Sequence, residues 1–236
     1  MNKMIAGFET VIAAATAIAA TAATPANPET QWVPGTREAV STMNTLFGPT
    51  GLIATPTAYG SEHNNIQFGA LFGDDISSAS GNYGIIRYVE VGGAYLDRTG
   101  ASDKAVANAK VTIIPQNFRN FEVGIGVIDA FDAIDQTFYV VGSADLVTPE
   151  WRVNVRGERF STIGLKVHAG VGNGIFDEEL FAGGELLFTK NVSLVGEWDT
   201  QDFNAAIRYA HGDYFNVQIG FFKSDFFLGA TTTLRF

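Results

Sequence analysis

Several features are scarce or missing in this sequence, and each absence excludes a class of protein. There is no cysteine, so disulfide frameworks and thiolate metal sites are excluded. Charged residues make up only 17% of the chain, and no basic run offsets the formal net charge of −10, which excludes nucleic acid as a partner. Past the N-terminal segment, no stretch approaches the roughly 18 uninterrupted apolar residues of a membrane helix. If the chain spans a membrane, it does so as a closed sheet.

Glycine and phenylalanine are abundant instead, with 26 and 19 residues respectively among 236. Glycine at this density disfavours helices, and phenylalanine favours strands. The length suits one domain with a sizeable folded interior. The composition therefore favours a single all-β domain.

Residues 1–23 have the pattern of a secretory signal peptide. Lys3 precedes an alanine-rich apolar run over residues 11–20, and the small residues 20–22 could serve as a cleavage site. Glu9 interrupts the apolar stretch, so an alanine-rich helix without a targeting role stays open. A bacterial outer-membrane protein of a Gram-negative cell would need such a leader.

Residues 24–64 hold most of the prolines and show no sustained alternation, so they are predicted to form an N-terminal extension. Within it, residues 36–47 could form a short helix with Val40, Met43 and Phe47 on one face. The extension either plugs a barrel lumen or sits at its periplasmic mouth, and a loosely ordered leader is the alternative.

Residues 65–236 show recurring period-2 alternation separated by turn residues, the pattern expected of a transmembrane antiparallel up-and-down β-barrel. An even strand number keeps both termini on one side of the membrane. Residues 151–160 extend strand seven, form an excursion or add a strand, so ten or fourteen strands are alternatives to twelve. The predicted strands are 66–72, 81–87, 89–97, 104–114, 120–129, 136–147, 160–171, 179–189, 191–199, 202–210, 214–222 and 225–236.

Each predicted strand has one apolar face and one polar face. A soluble β-sandwich also alternates in this way. The chain's final strand, however, ends in an aromatic residue and resembles the signal by which the assembly machinery recognises outer-membrane barrels. That insertion signal comprises Phe226, Leu228, Leu234 and Phe236. The charged residues predicted to face the lumen are Glu90, Lys110, Glu122, Lys166, His168, Glu185, Glu197, Arg208 and Arg235.

The predicted connections divide into an acidic set and a basic set. If the last strand ends in the periplasm, the acidic set is extracellular, where it would meet lipopolysaccharide and other outer-membrane lipids. Carboxylates there are candidate ligands for loosely bound Ca²⁺ or Mg²⁺, although ordinary solvated loops also favour Asp. The candidate cation ligands are Asp129, Asp132, Asp135, Asp177, Glu178 and Glu179.

A catalytic site is not predicted. The three histidines, His63, His168 and His211, do not obviously converge with a serine and a carboxylate. No G-x-S-x-G, H-E-x-x-H or P-loop pattern is present. We therefore predict no catalytic residue and no cofactor, with an outer-membrane lipid-modifying or protease barrel enzyme as the third-ranked alternative.

Two stretches resemble a known family. Residues 50–58 read TGLIATPTA, and they resemble the opening of YjbH-type outer-membrane proteins, which are associated with exopolysaccharide production. Residues 192–199 and 202–209 look like the late hairpin of that family. The resemblance implies a non-enzymatic barrel that assists exopolysaccharide export or assembly, with polysaccharide or export proteins as partners. The alternative is a passive, cation-preferring diffusion pore, and residues 50–58 are expected to line or close the periplasmic end.

Overall fold

The computed structural model describes residues 43–113, 121–147, 151–153, 159–161, 163–189, 191–212 and 214–236. The predicted signal peptide and residues 24–42 of the extension lie outside these ranges. Among the described residues there is no α-helix, and no helix of any kind is long and apolar enough to cross a membrane. Antiparallel strands make up most of them.

Twelve strands of the described chain form a closed antiparallel barrel, which confirms the predicted fold and strand number. Consecutive strands pair with each other, and the last pairs with the first in a register that runs from Phe227 opposite Gly73 to Arg235 opposite Asn65. The strands are β1 (Asn65–Gly73), β2 (Ile76–Ile86), β3 (Val89–Arg98), β4 (Lys104–Ile113), β5 (Phe121–Ile128), β6 (Thr137–Val147), β7 (Gly164–Gly172), β8 (Leu180–Leu187), β9 (Val192–Trp198), β10 (Phe203–His211), β11 (Phe215–Phe222) and β12 (Asp225–Arg235).

The connections between strands fall at two ends of the barrel. The acidic end carries the connections 74–75, 99–103, 129–136, 173–179, 199–202 and 223–224, and the terminal end carries the others together with the start of β1 and the end of β12. The acidic set predicted from the sequence therefore lies at one end. It comprises Asp74, Asp75, Asp97, Asp103, Asp129, Asp132, Asp135, Asp177, Glu178, Glu179, Asp199, Asp202 and Asp225.

The structure corrects two sequence predictions and decides between the alternatives left open for residues 151–160. The second strand begins at Ile76 and not at residue 81, because the serines on both faces of its first half hide the alternation. Residues 151–160 do not extend strand seven: Trp151–Val153 and Arg159–Ser161 pair as a separate hairpin, and β7 begins at Gly164. The predicted helix 36–47 is wrong in its described part, since Met43–Asn44 is a short strand.

The outer surface of the barrel is apolar. Alternate residues of the strands point outward, and many of these are large aromatic or aliphatic side chains that are at least two-fifths exposed. The strands are seven to eleven residues long, close to the roughly 9–11 residues that span a bilayer. An apolar belt around a closed sheet is the surface of a transmembrane barrel. Its members include Phe68, Phe72, Tyr95, Val111, Ile125, Phe138, Leu194, Trp198, Ile207, Phe215, Ile219, Phe221 and Leu228.

The barrel interior is occupied by residues 43–61, which together with the exposed Glu62 at the rim we call the inner segment. Met43–Asn44 pairs with Thr50–Gly51, and Gly51 forms a further bridge to Pro56, so the segment doubles back on itself. Gly48 has a φ of 112°, a left-handed conformation that favours glycine and closes the first of these turns. The inner segment supplies no strand to the barrel, because the twelve strands pair only with one another.

Candidate functional site

The lumen is the candidate site, because the inner segment meets the charged groups of the barrel wall there. Thr50, Leu52, Ile53 and Ala58 are each at most 1% exposed. A segment lying in a water-filled channel would keep a solvated side, and these residues have none. The lumen is therefore closed at the level of these residues.

Glu197, on β9, binds the tip of the inner segment. Its carboxylate accepts hydrogen bonds from the main-chain amides of Ile53, Ala54 and Thr55 at 3.0, 2.8 and 3.1 Å. The Thr55 hydroxyl donates to the same carboxylate at 2.7 Å, and Asn204 of β10 donates from its side-chain amide at 3.1 Å. Hydrogen bonds to a charged acceptor are about twice as strong as neutral ones. This carboxylate therefore fixes the turn at residues 53–55.

Glu90 of β3 and Lys110 of β4 form a buried ion pair, with Nζ and Oε1 3.2 Å apart. Glu90 accepts the main-chain amides of Thr50 and Ser61, at 2.9 and 2.8 Å. Lys110 donates to the carbonyl oxygens of Thr50, Thr57 and Tyr59, at 2.9, 3.2 and 2.7 Å. A buried pair needs such additional hydrogen bonds to offset its desolvation. Here the main chain of the inner segment provides them.

Arg208 of β10 forms a second buried ion pair, with Glu185 of β8 at 3.4 Å. Its guanidinium also donates to the carbonyl oxygen of Leu52 and to the side chain of Gln218, both at 3.2 Å. Glu185 in turn accepts the hydroxyl of Ser193 at 2.7 Å. The strands β8 to β11 thus contribute one connected polar group that binds the segment beside its Glu197 contact.

A third group of wall residues surrounds Tyr59, where the inner segment leaves the lumen toward β1. The Tyr59 hydroxyl donates to Asp145 of β6 at 2.6 Å, and the ammonium of Lys166 lies 4.9 Å from the centre of its ring. The Tyr59 ring also meets His168 edge-on, at 5.6 Å between centroids. Nδ1 of His168 is 2.8 Å from the hydroxyl of Ser143, which accepts the Ala58 amide.

Uncharged side chains of the wall bind the main chain of the segment as well. Asn108 donates to the carbonyl of Phe47 at 2.7 Å, and Thr112 donates to the carbonyl of Ala58 at 2.6 Å. Asn82 donates to the carbonyl of Gly48 at 2.5 Å. The wall therefore satisfies carbonyls along most of the inner segment.

Apolar packing and glycine positions complete the fit. Leu52 and Ile53 belong to a buried cluster with wall residues near the acidic end, including Leu96 and Phe227. On the other side of the lumen, a Cβ added to Gly124 of β5 would lie 3.0 Å from the Cα of Ala58. The absence of a side chain at Gly124 thus allows the segment to approach the wall.

The predicted lumen residues occupy three kinds of environment. Most lie on the inner wall and are nearly inaccessible to solvent: Glu90, Lys110, Glu122, His168, Glu185, Glu197 and Arg208. Lys166 is also on the wall but is partly exposed, and it lies 3.9 Å from Asp145. Arg235 differs, because it lies at the rim of the terminal end, where its side chain is 37% exposed and 3.9 Å from Glu62.

The residues predicted to bind cations are all in connections at the acidic end. Asp129 is buried, and its carboxylate accepts the amides of Ala133, Ile134 and Asp135 at 2.9, 2.5 and 3.0 Å. Its oxygens therefore serve the loop. The described residues include no group of three or more His, Asp or Glu side chains placed to hold a metal ion. The Ca²⁺ or Mg²⁺ rim, with Asp132, Asp135, Asp177, Glu178 and Glu179, stays a prediction.

The three histidines lie on different parts of the chain and in different environments. His63 is exposed before β1, His211 is exposed at the end of β10, and His168 is buried in the wall. Ser143 lies between Glu122 and His168 in the strand register, so the carboxylate flanks the serine and not the histidine. A catalytic triad needs the histidine between the other two groups. This row does not have that order.

The sequence analysis did not single out several wall residues that bind the segment, namely Asn82, Asn108, Thr112, Ser143 and Asp145. A signal for some of them was present. Asn108 and Thr112 lie two residues before and after Lys110 on one strand and therefore share its face. Extending the charged rows by period 2 would have placed these polar side chains in the lumen.

The four residues of the proposed insertion signal point outward from β12 and its end. Phe226, Leu228 and Leu234 are about half exposed, and Phe236 is 80% exposed. The amide of Phe236 donates to the carbonyl of Asn64 at 3.3 Å, so the strand's end lies against the start of β1.

No family model and no curated protein matches the chain, so its resemblance to YjbH-type proteins stays a prediction. Among solved structures, the chain is similar to the KdgM porin, with 11% identity and a TM-score of 0.46, over 73% of this chain and 99% of that one. It is also similar to the KdgM porin in complex with disordered oligogalacturonate, with 10% identity and a TM-score of 0.45, over 73% of this chain and 99% of that one. The N-terminal β-barrel domain of Pseudomonas aeruginosa OprF gives 10% identity and a TM-score of 0.27, covering 74% and 100%. At these values the likenesses indicate nothing about function.

Proposed function

We propose that this protein is a porin-like barrel of the bacterial outer membrane, and that its lumen conducts small solutes when the inner segment leaves. The apolar belt supports the membrane location, because only a closed sheet or helices can cross hydrocarbon. In the orientation that we propose, both chain ends of the barrel lie at the periplasmic side, so the terminal end faces the periplasm and the acidic end faces the cell exterior. The protein acts by passage and not by catalysis.

One observation carries the proposal: the wall is polar and charged, yet the barrel closes without the inner segment. Charged and amide side chains such as Glu197, Lys110 and Asn108 suit an aqueous lumen once the segment is gone. The pairing of β12 with β1 involves no residue of the segment, so its departure breaks no barrel strand pair. The closed and open forms can therefore share one barrel.

Conductance in planar bilayers tests this proposal. The full chain should show little steady current. A full-length variant with Leu52→Asp and Ile53→Asp, whose new charges cannot remain in the buried cluster near Glu197, should conduct steadily. Ala101→Asp with Ser102→Asp adds the same charge to an exposed connection and should stay closed. A folded Leu52/Ile53 variant without current would refute the pore.

Exopolysaccharide export is the second candidate, and one observation favours it. The two stretches that resemble YjbH-type proteins contact each other: Glu197 and Arg208 of the late hairpin bind the main chain of residues 52–55. The two stretches that carry the resemblance are therefore one part of the inner segment and the part of the barrel wall that binds it. Deletion of the protein should then alter the amount or composition of surface polysaccharide. No change in either would argue against an export role.

A further inference from the structure

In the lumen, the barrel wall binds mainly main-chain groups of the inner segment and fewer of its side chains. Glu197 accepts amides of three successive residues, and Glu90 accepts two more. Lys110 donates to three carbonyls, and Arg208 to a fourth. These donors and acceptors belong to every polypeptide. They would be present whatever side chains the segment carried.

From this arrangement we infer that the lumen is a binding site for a polypeptide that folds back on itself, and that a peptide from outside the chain is its ligand once the inner segment leaves. The inference rests on the proposed function, since the lumen must open. It names the class of molecule that the open barrel binds.

The spacing of the wall groups sets requirements for such a ligand. Glu197 accepts the amides of three successive residues, so the ligand must present a turn like that at residues 53–55. Lys110 and Arg208 bind carbonyls elsewhere along the segment. Side-chain space is limited where Ala58 approaches Gly124, and it is apolar around Leu52. The preferred ligand is therefore a short peptide of small and aliphatic residues. Carbohydrates have no amide groups in this pattern.

The competing chain segment is tethered, and this affects how the binding should be measured. A tethered segment acts at an effective concentration in the millimolar range, which an added peptide would have to exceed. The full-length Leu52→Asp, Ile53→Asp variant removes that competition and leaves every wall residue unchanged. It is therefore the correct protein for the test.

The probe is a fluorescent synthetic peptide with the sequence of residues 43–62, titrated into this variant in detergent and followed by fluorescence polarisation. We expect saturable binding. An analogue with an ester in place of the Ala54 amide lacks the N–H that donates to Glu197 at 2.8 Å, and it should bind about 10- to 100-fold more weakly. A linear glucose oligomer, which lacks these main-chain amides and carbonyls, should not compete.

Two outcomes would overturn the inference: equal affinity of the amide and ester peptides, or competition by the glucose oligomer. A parallel measurement separates the inference from the proposed function. If the open variant conducts but binds no peptide, the inference fails and the pore stands. If it binds peptide without ever conducting, the pore fails and the binding site stands. Where both hold, the peptide should block the current in proportion to its occupancy.

Discussion

Replacing Glu197 by alanine should release the tip of the inner segment while leaving the barrel folded. The carboxylate accepts the amides of residues 53–55 within 3.1 Å, and it is buried on the inner wall. Its removal takes away the acceptor for three main-chain donors at once. The strand pairing of β9 does not depend on this side chain, so the wall remains intact.

The size of the effect follows from the number of amides that lose a partner. A buried donor left unsatisfied costs about 1–3 kcal/mol, so three of them cost about 3–9 kcal/mol if the lumen stays dry. Water that enters after the change reduces this cost, so we take the lower bound. About 3 kcal/mol shifts the ratio of closed to open segments by roughly 100-fold, because each 1.4 kcal/mol is a factor of ten.

The absence of native cysteine makes a single introduced thiol a specific reporter. Ala54→Cys places it in the tip, where Ala54 is 2% exposed, and a maleimide should label it slowly in the otherwise unchanged protein. Adding Glu197→Ala should raise the labelling rate by about two orders of magnitude. Glu179→Ala, which removes an exposed carboxylate from a connection, is the matched control and should leave the rate unchanged.

Glu197→Gln separates charge from volume in the same assay. It keeps the size of the side chain but not its charge, and it should also speed labelling. Unchanged labelling of a folded Glu197→Ala protein would refute the idea that this carboxylate retains the segment.

Three further changes should act on the segment or on the outer connections. Lys110→Met leaves Glu90 buried without its cation and should lower the stability of the closed form by about 3–5 kcal/mol. The readout is faster maleimide labelling of Ala54→Cys, and replacing Glu90 by Gln as well should recover part of the lost stability. Gly124→Leu overfills the contact with Ala58, at a cost of about 1–3 kcal/mol, and should increase conductance. Adding Ala58→Gly should partly reverse this increase, and no reversal would show that the contact is not its cause. Asp129→Asn should expose its loop to added protease without opening the lumen, and release of the segment would contradict the local role of this carboxylate.

The barrel was predictable from the sequence because its strands obey one simple rule. Period-2 alternation, with Gly and Asp between strands, placed most strand bounds within a few residues. The exception, β2, fails for a physical reason: its inward Ser78 and Asn82 alternate with Ala79 and Gly81, which are too small to mark an apolar face. Strong contrast between the two faces is what makes a strand visible in a single sequence.

The inner segment was not predictable in the same way. Its partners are distant in sequence, as when Ala54 meets Glu197, and its own main chain supplies most of the recognised groups. Main-chain groups leave no pattern of residue types. The sequence therefore indicated that residues 50–58 were distinctive and allowed a plug, but it could not show which wall residues hold them.

The pairing of β12 with β1 has a consequence for biogenesis. The inner segment precedes β1 in the chain, and the amide of Asn44 meets the hydroxyl of Thr231, 187 positions later. Contacts this far apart in sequence form slowly, since their loop-closure entropy must be overcome first. The seam between β12 and β1 can therefore close before the inner segment has taken its place in the lumen. Folding kinetics should then contain a late phase in which the inner segment enters a barrel that has already closed, without breaking the pairing of β12 with β1.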